Sequence, residues 1–355
     1  MKLRGALSFV PGRFESLARE GFDDGWRKDD APAAPLETTV TEERARSIVQ
    51  RNDSPDVPFD LSINPYRGCE HGCVYCYARP SHAYLELSPG LDFESKLFAK
   101  VNALELLRAE LARPGHVASP ISLGANTDCY QPIERRYRIT RSILELLAEC
   151  EHPLTIVTKS ALVERDLDIL APMARKDLVK VFVSLGTLDR ALARTLEPRA
   201  ASPQRRVDTI RALAQTGVPV GVMVAPVIPA LTDKSLEASL EAGAEAGATM
   251  GGYTILRLPN ELKDIFREWL KGHQPERAEH VISIVRQVRG GRDNDPRFGA
   301  RMTGTGTYAE LIAKRFEVAC RRLGLNGDER GTRARRELDS TRFRPPSPGG
   351  QMPLF

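Results

Sequence analysis

The stretch RGCEHGCVYCYARP, residues 67–80, sets Cys69, Cys73 and Cys76 on one short loop. Three thiolates so grouped can hold three irons of a [4Fe–4S] cube and leave the fourth iron without a protein ligand. An iron of that kind is open to a small molecule and can pass it an electron. A structural zinc site would instead need a fourth Cys or His to close a tetrahedron, and His71 within the loop is of the right type to supply one. Cys129, Cys150 and Cys320 are scattered. Neither a second cluster nor a disulfide framework is therefore expected, and a reducing, cytoplasmic setting is.

Outward from the loop the pattern becomes regular. DLSINPY (60–66) reads as a strand leading into the cysteines. Residues 94–112 carry Leu97, Val101, Leu104, Leu107 and Leu111 at helical spacing, which predicts one helix ending before Pro114-Gly115. Strands are then predicted at ISL (121–123), LTIVTK (154–159), VKVFVSLG (179–186), VPVGVMVAPVIP (218–229) and GGYTILRLP (251–259). Helices are expected over 140–150, 165–174, from Ser202-Pro203 to Gly217, over 234–246 and over 260–270. Six strand–helix units in succession imply parallel crossovers. A closed (β/α)8 barrel takes ~250 residues. The units here run only from Leu61 to Leu270, so the expected fold is α/β, a partial (β/α)6 TIM-type barrel. Function in such barrels gathers at the carboxyl ends of the strands, where the cysteine loop must lie.

The flanks read differently. Residues 1–55 lack an apolar period, with the Pro- and Ala-rich DDAPAAPLETT among them, and are expected to form an irregular arm before the barrel at 56–290. Residues 291–340 form an extension around an amphipathic helix over 308–324, with Leu311, Ile312, Phe316, Ala319 and Cys320 facing inward. Residues 341–355, Pro- and Gly-rich, read as a disordered tail. The chain of 355 residues is 41% hydrophobic and 28% charged, with no apolar run near the ~20 residues of a membrane span. Its first residues turn charged too soon for a signal peptide. Net charge is only +4, yet residues 314–344 hold ten Lys/Arg against five Asp/Glu, a local excess that suits nucleic acid or a solvated basic face equally. No G-x-x-x-x-G-K-[ST] loop occurs, and MTGTGTY lacks the strand–glycine–helix context of a nucleotide fingerprint.

The x3-x2 cysteine spacing with Tyr75 before the last cysteine resembles the signature of the radical S-adenosylmethionine (SAM) superfamily. That resemblance implies that SAM chelates the open iron through its amino and carboxylate groups. An electron from a donor such as flavodoxin or ferredoxin then cleaves a carbon–sulfur bond to release a 5′-deoxyadenosyl radical. Further segments are similar to the spore photoproduct lyase-like branch, whose members repair a UV-induced thymine lesion. GANTDCYQPIE after the second strand resembles its threonine/serine-aspartate segment, Thr158-Lys159 its SAM-binding lysine, Ser184 its SAM-binding serine, and LEPRAASPQRR its glutamate-proline loop. The resemblance thus implies SAM contacts from Tyr75, Asn126, Thr127, Lys159 and Ser184. It departs at the lyases' hydrogen-donating cysteine. Ala125 or Asn126 stands there, while Cys129 lies beyond the aspartate, so the catalytic hydrogen-atom donor is unknown.

Simpler roles are expected for several neighbours: a turn cap for Asp128, surface ion pairs for Arg199 and Arg257, and packing for His82 and Tyr84. The last residues, Gln351, Met352, Pro353, Leu354 and Phe355, resemble the short peptide by which bacterial DNA-repair proteins bind the replicative sliding clamp, an apolar cleft filled by aliphatic and aromatic anchors. Two readings of function follow. One is a radical SAM enzyme related to DNA repair. The other is a non-enzymatic Fe–S binding or redox-sensing protein docked on a DNA-processing assembly, which would have no use for polar groups such as Lys159 and Ser184 at the strand ends.

Overall fold

The structure, a computed structural model, describes residues 4–15, 36–327 and 337–346. Its strands are β1 (Thr39–Glu43), β2 (Val49–Arg51), β3 (Leu61–Ile63), β4 (Tyr66–Arg67), β5 (Lys96–Lys100), β6 (Ile121–Leu123), β7 (Leu154–Thr158), β8 (Val179–Ser184), β9 (Val220–Val227) and β10 (Met250–Ile255). The larger sheet runs β10-β9-β8-β7-β6-β3-β2. From β3 to β10 every neighbouring pair is parallel, and β2 adds an antiparallel edge to β3. The six parallel strands are those expected from the sequence, and β10 and β2 remain unpaired with each other among the described residues. The architecture is the expected open partial (β/α)6 barrel. Its apolar strands, with Ile121, Leu123, Leu154, Ile156, Val181, Val183, Val222 and Val224 buried, run through one continuous core, as strands covered on both faces should.

Helices Ala103–Leu111, Ile139–Glu149, Leu167–Ala174, Pro203–Gln215, Leu236–Glu245 and Leu262–His273 follow the strands in turn. The fourth shows the local logic. Ser202 Oγ accepts from Arg205 N at 3.4 Å, Pro203 opens the first turn, and Gly217 leaves it at φ +81°, a conformation that favours glycine. After β10 the chain is pinned by buried Arg289, which donates to the carbonyls of Ile255, Leu256, Ala300 and Arg301. Arg301 in turn donates to Asp56 and Ser54, and Gly299 N to Asp56 Oδ1 at 2.7 Å. These bonds join the two ends of the open sheet.

Three expectations are corrected. The helix predicted over 94–112 begins only at Ala103, because Lys96–Lys100 forms β5, parallel to β1 and antiparallel to β4. Leu97 and Ala99 are buried in strand alternation, and pairing with two strands outweighs the helical spacing of leucines. The stretch 39–51 is likewise more regular than an irregular arm, contributing β1 and β2. In the helix Thr307–Leu323, Ile312, Ala319 and Cys320 are buried as expected and Phe316 packs on Tyr253, but Leu311 is 52% exposed.

Residues 341–346, expected to belong to the tail, are docked. Phe343 lies 5.0 and 5.3 Å from the rings of His116 and His152, Arg344 N donates to Cys150 O at 2.9 Å, and Asp339 N donates to Asp177 O at 2.9 Å. All these anchors precede β6, β7 or β8. The segment therefore sits at the amino ends of the parallel strands. Gln351, Met352, Leu354 and Phe355 lie outside the described residues.

His82 and His152 are both buried, and burial pushes each imidazole down to about 4. The folded state keeps them neutral while an unfolded imidazole protonates near ~6.5. Their contribution is thus complete above about pH 6.5 and is lost as pH falls towards 4, by up to about 3 kcal/mol per ring. Urea melts across this window should show the slope. An unchanged slope in a His82→Gln/His152→Gln variant would refute the assignment.

Candidate active site

The cysteine loop follows β3 and β4 at the carboxyl end of the sheet and is held from four directions. Arg79, fully buried, donates to the carbonyls of Gly72, Cys73, Pro89 and Gly90 and to Glu94 Oε1 at 3.0 Å. Glu94, also fully buried, accepts from Gly5 N at 2.9 Å and Ala6 N at 2.8 Å, which straps the N-terminal segment under the loop. Gln131 accepts from Glu70 N at 2.9 Å and donates to Gly68 O at 3.0 Å. From the loop after the helix Arg190–Leu196, Leu196 O accepts from Val74 N at 3.0 Å and Arg199 N donates to His71 O at 3.2 Å. The loop is thus shaped by buried hydrogen bonds, of which those of Arg79 and Glu94 are charge-assisted.

The strand ends close around it. Tyr75 donates its hydroxyl to Glu197, whose other oxygen takes Arg206, and Arg206 also donates to Ser184 O at 3.0 Å. Lys159 Nζ stands 5.9 Å from the centre of the Tyr75 ring. Asp128 accepts from Tyr130 N at 2.9 Å, Thr158 Oγ1 at 2.8 Å and Lys159 N at 2.8 Å, and pairs with His71 Nδ1 at 3.3 Å. Burial alone would raise the Asp128 carboxyl; His71 and these donors outweigh it and hold it at about 2. Asn64 Oδ1 takes the backbone N–H of Asn126 and Thr127 at 2.8 and 3.2 Å. The structure therefore brings Tyr75, Lys159, Ser184, Asn126 and Thr127 to one mouth. The Thr127 hydroxyl is spent on Tyr66 O at 2.9 Å, a bond internal to the fold.

Burial pushes the Cys69 thiol well up, with Asp128, Cys73 and Cys76 adding to it, and pushes Cys73 up to about 12 against the opposing pull of Lys159. Metal binding here must therefore release protons. Among the described residues no three Cys, His, Asp or Glu side chains gather closely enough to share a single ion. His71, the candidate fourth ligand for zinc, is committed to Asp128 and buried. The donor set fits a cube that takes one thiolate per iron better than a closed tetrahedron.

The expectations for other neighbours are met in part. Asp128 does cap a turn, and His82 packs on Phe93 at 5.1 Å. Tyr84, however, is 70% exposed, because its ring stacks with Phe14 and the Arg13 guanidinium at the surface instead of entering the core. Arg199 pairs with Glu70 at 2.9 Å, but in a largely buried setting. Arg257 makes no ion pair with a described residue; it lies 5.6 Å from the Tyr77 ring, half-buried, with burial and Arg301 lowering its pKa. Cys129 is fully buried in the core. Arg79, Glu94, Gln131 and Arg206 were not singled out by sequence. The one local signal was a charged residue, Arg79, three positions past Cys76 in a loop that must pack tightly.

Comparison with known proteins agrees with this geometry. Residues 63–242 match the Radical SAM superfamily. The chain is 38% identical over 277 residues to an uncharacterized protein of Mycobacterium tuberculosis, covering 77% of each chain. It is 29% identical over 171 residues to an uncharacterized protein of Methanocaldococcus jannaschii, covering 48% of this chain and 61% of that one. In fold it resembles a spore photoproduct lyase variant, with TM-score 0.60 and 15% identity over 81% of this chain and 80% of that one. A second variant of that lyase, solved with bound AdoMet and a dinucleoside spore photoproduct, gives TM-score 0.59 at 16% identity over the same shares.

Proposed function

The chain belongs to the radical SAM superfamily, and from that premise we propose that Cys69, Cys73 and Cys76 hold a [4Fe–4S] cluster at which SAM is reductively cleaved. Membership implies both SAM and an iron–sulfur cluster. When bound, the pair supplies a 5′-deoxyadenosyl radical. The chain's own residues position and dry the site. Tyr75 is locked by Glu197 and Arg206, and Asp128 fixes the backbone of Lys159. The Lys159 ammonium is then free to meet the SAM carboxylate, and Asn126 and Ser184 offer polar atoms from the neighbouring strand ends. The observation that carries the reading is the placement of three cysteines of one loop at the carboxyl ends of parallel strands, beside Lys159 and Tyr75.

A lyase-like reaction on nucleic acid, related to DNA repair, is supported by the resemblance of the strand-end segments. Flavodoxin or ferredoxin is the fitting electron donor, and the last five residues fit a sliding clamp. A sensor docked on DNA machinery would not need the Lys159 ammonium at the mouth.

The test is anaerobic reconstitution with iron and sulfide, addition of SAM and dithionite, and chromatography for 5′-deoxyadenosine. Its absence from a fully loaded protein would defeat the reading. Lys159→Ala should weaken SAM binding about tenfold, the worth of roughly one charge-assisted contact, with thermal stability nearly unchanged. Normal SAM affinity in a destabilised variant would show that Lys159 serves folding instead.

A further inference from the structure

Beside the cysteine loop lies a groove of about 520 Å³ that shares Asn126 with the mouth but is not lined by Lys159 or Tyr75. Its wall includes Arg44, Arg46, Arg67, Lys100, Tyr84 and Asn126, and among the described residues its one acidic member is Glu43. Glu43 is already taken by Arg67 through two bonds of 2.8 Å. Arg44 reaches Glu105 at 3.2 Å, where both side chains are exposed. Arg46 has no ion pair with a described residue. Lys100 is the unusual member: it is 5% exposed, and its ammonium donates to Asn64 O at 2.8 Å without meeting a carboxylate among the described residues. Burial, with Arg67 adding, pushes it down to about 8. A buried cation with unused donors in a wall of further cations calls for an anion. Tyr84, with Arg13 at 5.2 Å from its ring centre, offers an aromatic surface at the rim, and base stacking on such a ring is a general device of nucleotide recognition.

We propose that this groove binds a nucleoside phosphate, with the phosphate at Lys100 and Arg46 and the base on Tyr84. SAM itself, bearing a cationic sulfonium, is unsuited to a wall with this charge balance. The same chemistry is offered by a free mononucleotide and by a nucleotide within a single strand.

The experiment uses the full chain, without SAM or reductant, and follows the fluorescence anisotropy of a fluorescein-labelled oligothymidylate, with AMP and inorganic phosphate as competitors. Arg46→Glu, at an exposed position with no ion pair to a described residue, should weaken binding about tenfold and reduce the salt slope by about one. Tyr84→Ala should weaken it about tenfold as one stacked base is lost. Lys100→Met should do the same if its thermal melt shows a folded chain, and the Arg46 and Tyr84 variants decide the matter if it does not. Displacement by AMP would assign the site to free nucleotides; binding of the oligonucleotide that AMP cannot displace would assign it to a strand. Failure of the wild-type chain to bind any of the probes at millimolar concentration would overturn the proposal. So would an equal loss from Lys271→Glu on the helix Leu262–His273, since binding would then be general surface attraction. Because no radical chemistry is involved, failure here would leave the SAM reading intact, and an inactive but nucleotide-binding protein would overturn only that reading.

Discussion

Arg79→Ala is expected to cost about 3–5 kcal/mol, the range for removing one partner of a buried ion pair, and to leave a chain that cannot retain iron. The guanidinium is enclosed, bonded to four carbonyls of the loop and its return segment and to Glu94. Without it, Glu94 becomes a buried carboxylate left to the backbone N–H groups of Gly5 and Ala6 and the charge of Arg4, and the carbonyls of Gly72 and Cys73 lose a charged donor. Arg79→Lys should not restore the loop, since one ammonium cannot reproduce a planar fork with donors on several sides. Urea melts of the metal-free protein and iron counts after reconstitution measure the two effects separately. Wild-type stability with a full iron complement would show that the loop shapes itself.

Cys73→Ala, and equally Cys69→Ala or Cys76→Ala, should abolish the brown chromophore and with it 5′-deoxyadenosine formation, whereas alanine at Cys129, Cys150 or Cys320 should leave both in place. The proposed cube, ligated by three thiolates, has no spare protein ligand, and Cys129, Cys150 and Cys320 are buried in the core. Because burial keeps the Cys73 thiol protonated at neutral pH, iron uptake by the wild type should also release protons, visible as a pH drop in weakly buffered solution. A cluster that survives substitution of any of the three would overturn the ligand assignment.

What could be read in advance was the part governed by local pattern. The β-branched runs at 154–158, 179–184 and 220–227 announce buried strands, and the cysteine spacing announces the loop after the first of the six. What could not be read depends on partners distant in sequence. Lys96–Lys100 becomes a strand because β1, more than fifty residues earlier, lies alongside it. The Glu94 carboxylate matters because Gly5 and Ala6 reach it. Tyr84 faces outward because Phe14 and Arg13 offer it a surface stack. Conversely, the placement of Tyr75, Lys159 and Ser184 at one mouth follows from strand order alone, since all three lie at or beside the carboxyl ends of parallel elements.

The docking of Phe343 between His116 and His152 has a mechanical consequence. Arg344 is moored to Cys150 at the amino ends of the strands, and the cysteine loop occupies the opposite pole. Whatever leans on this segment therefore loads the back of the barrel. The mouth, at the other pole, is left unobstructed by it.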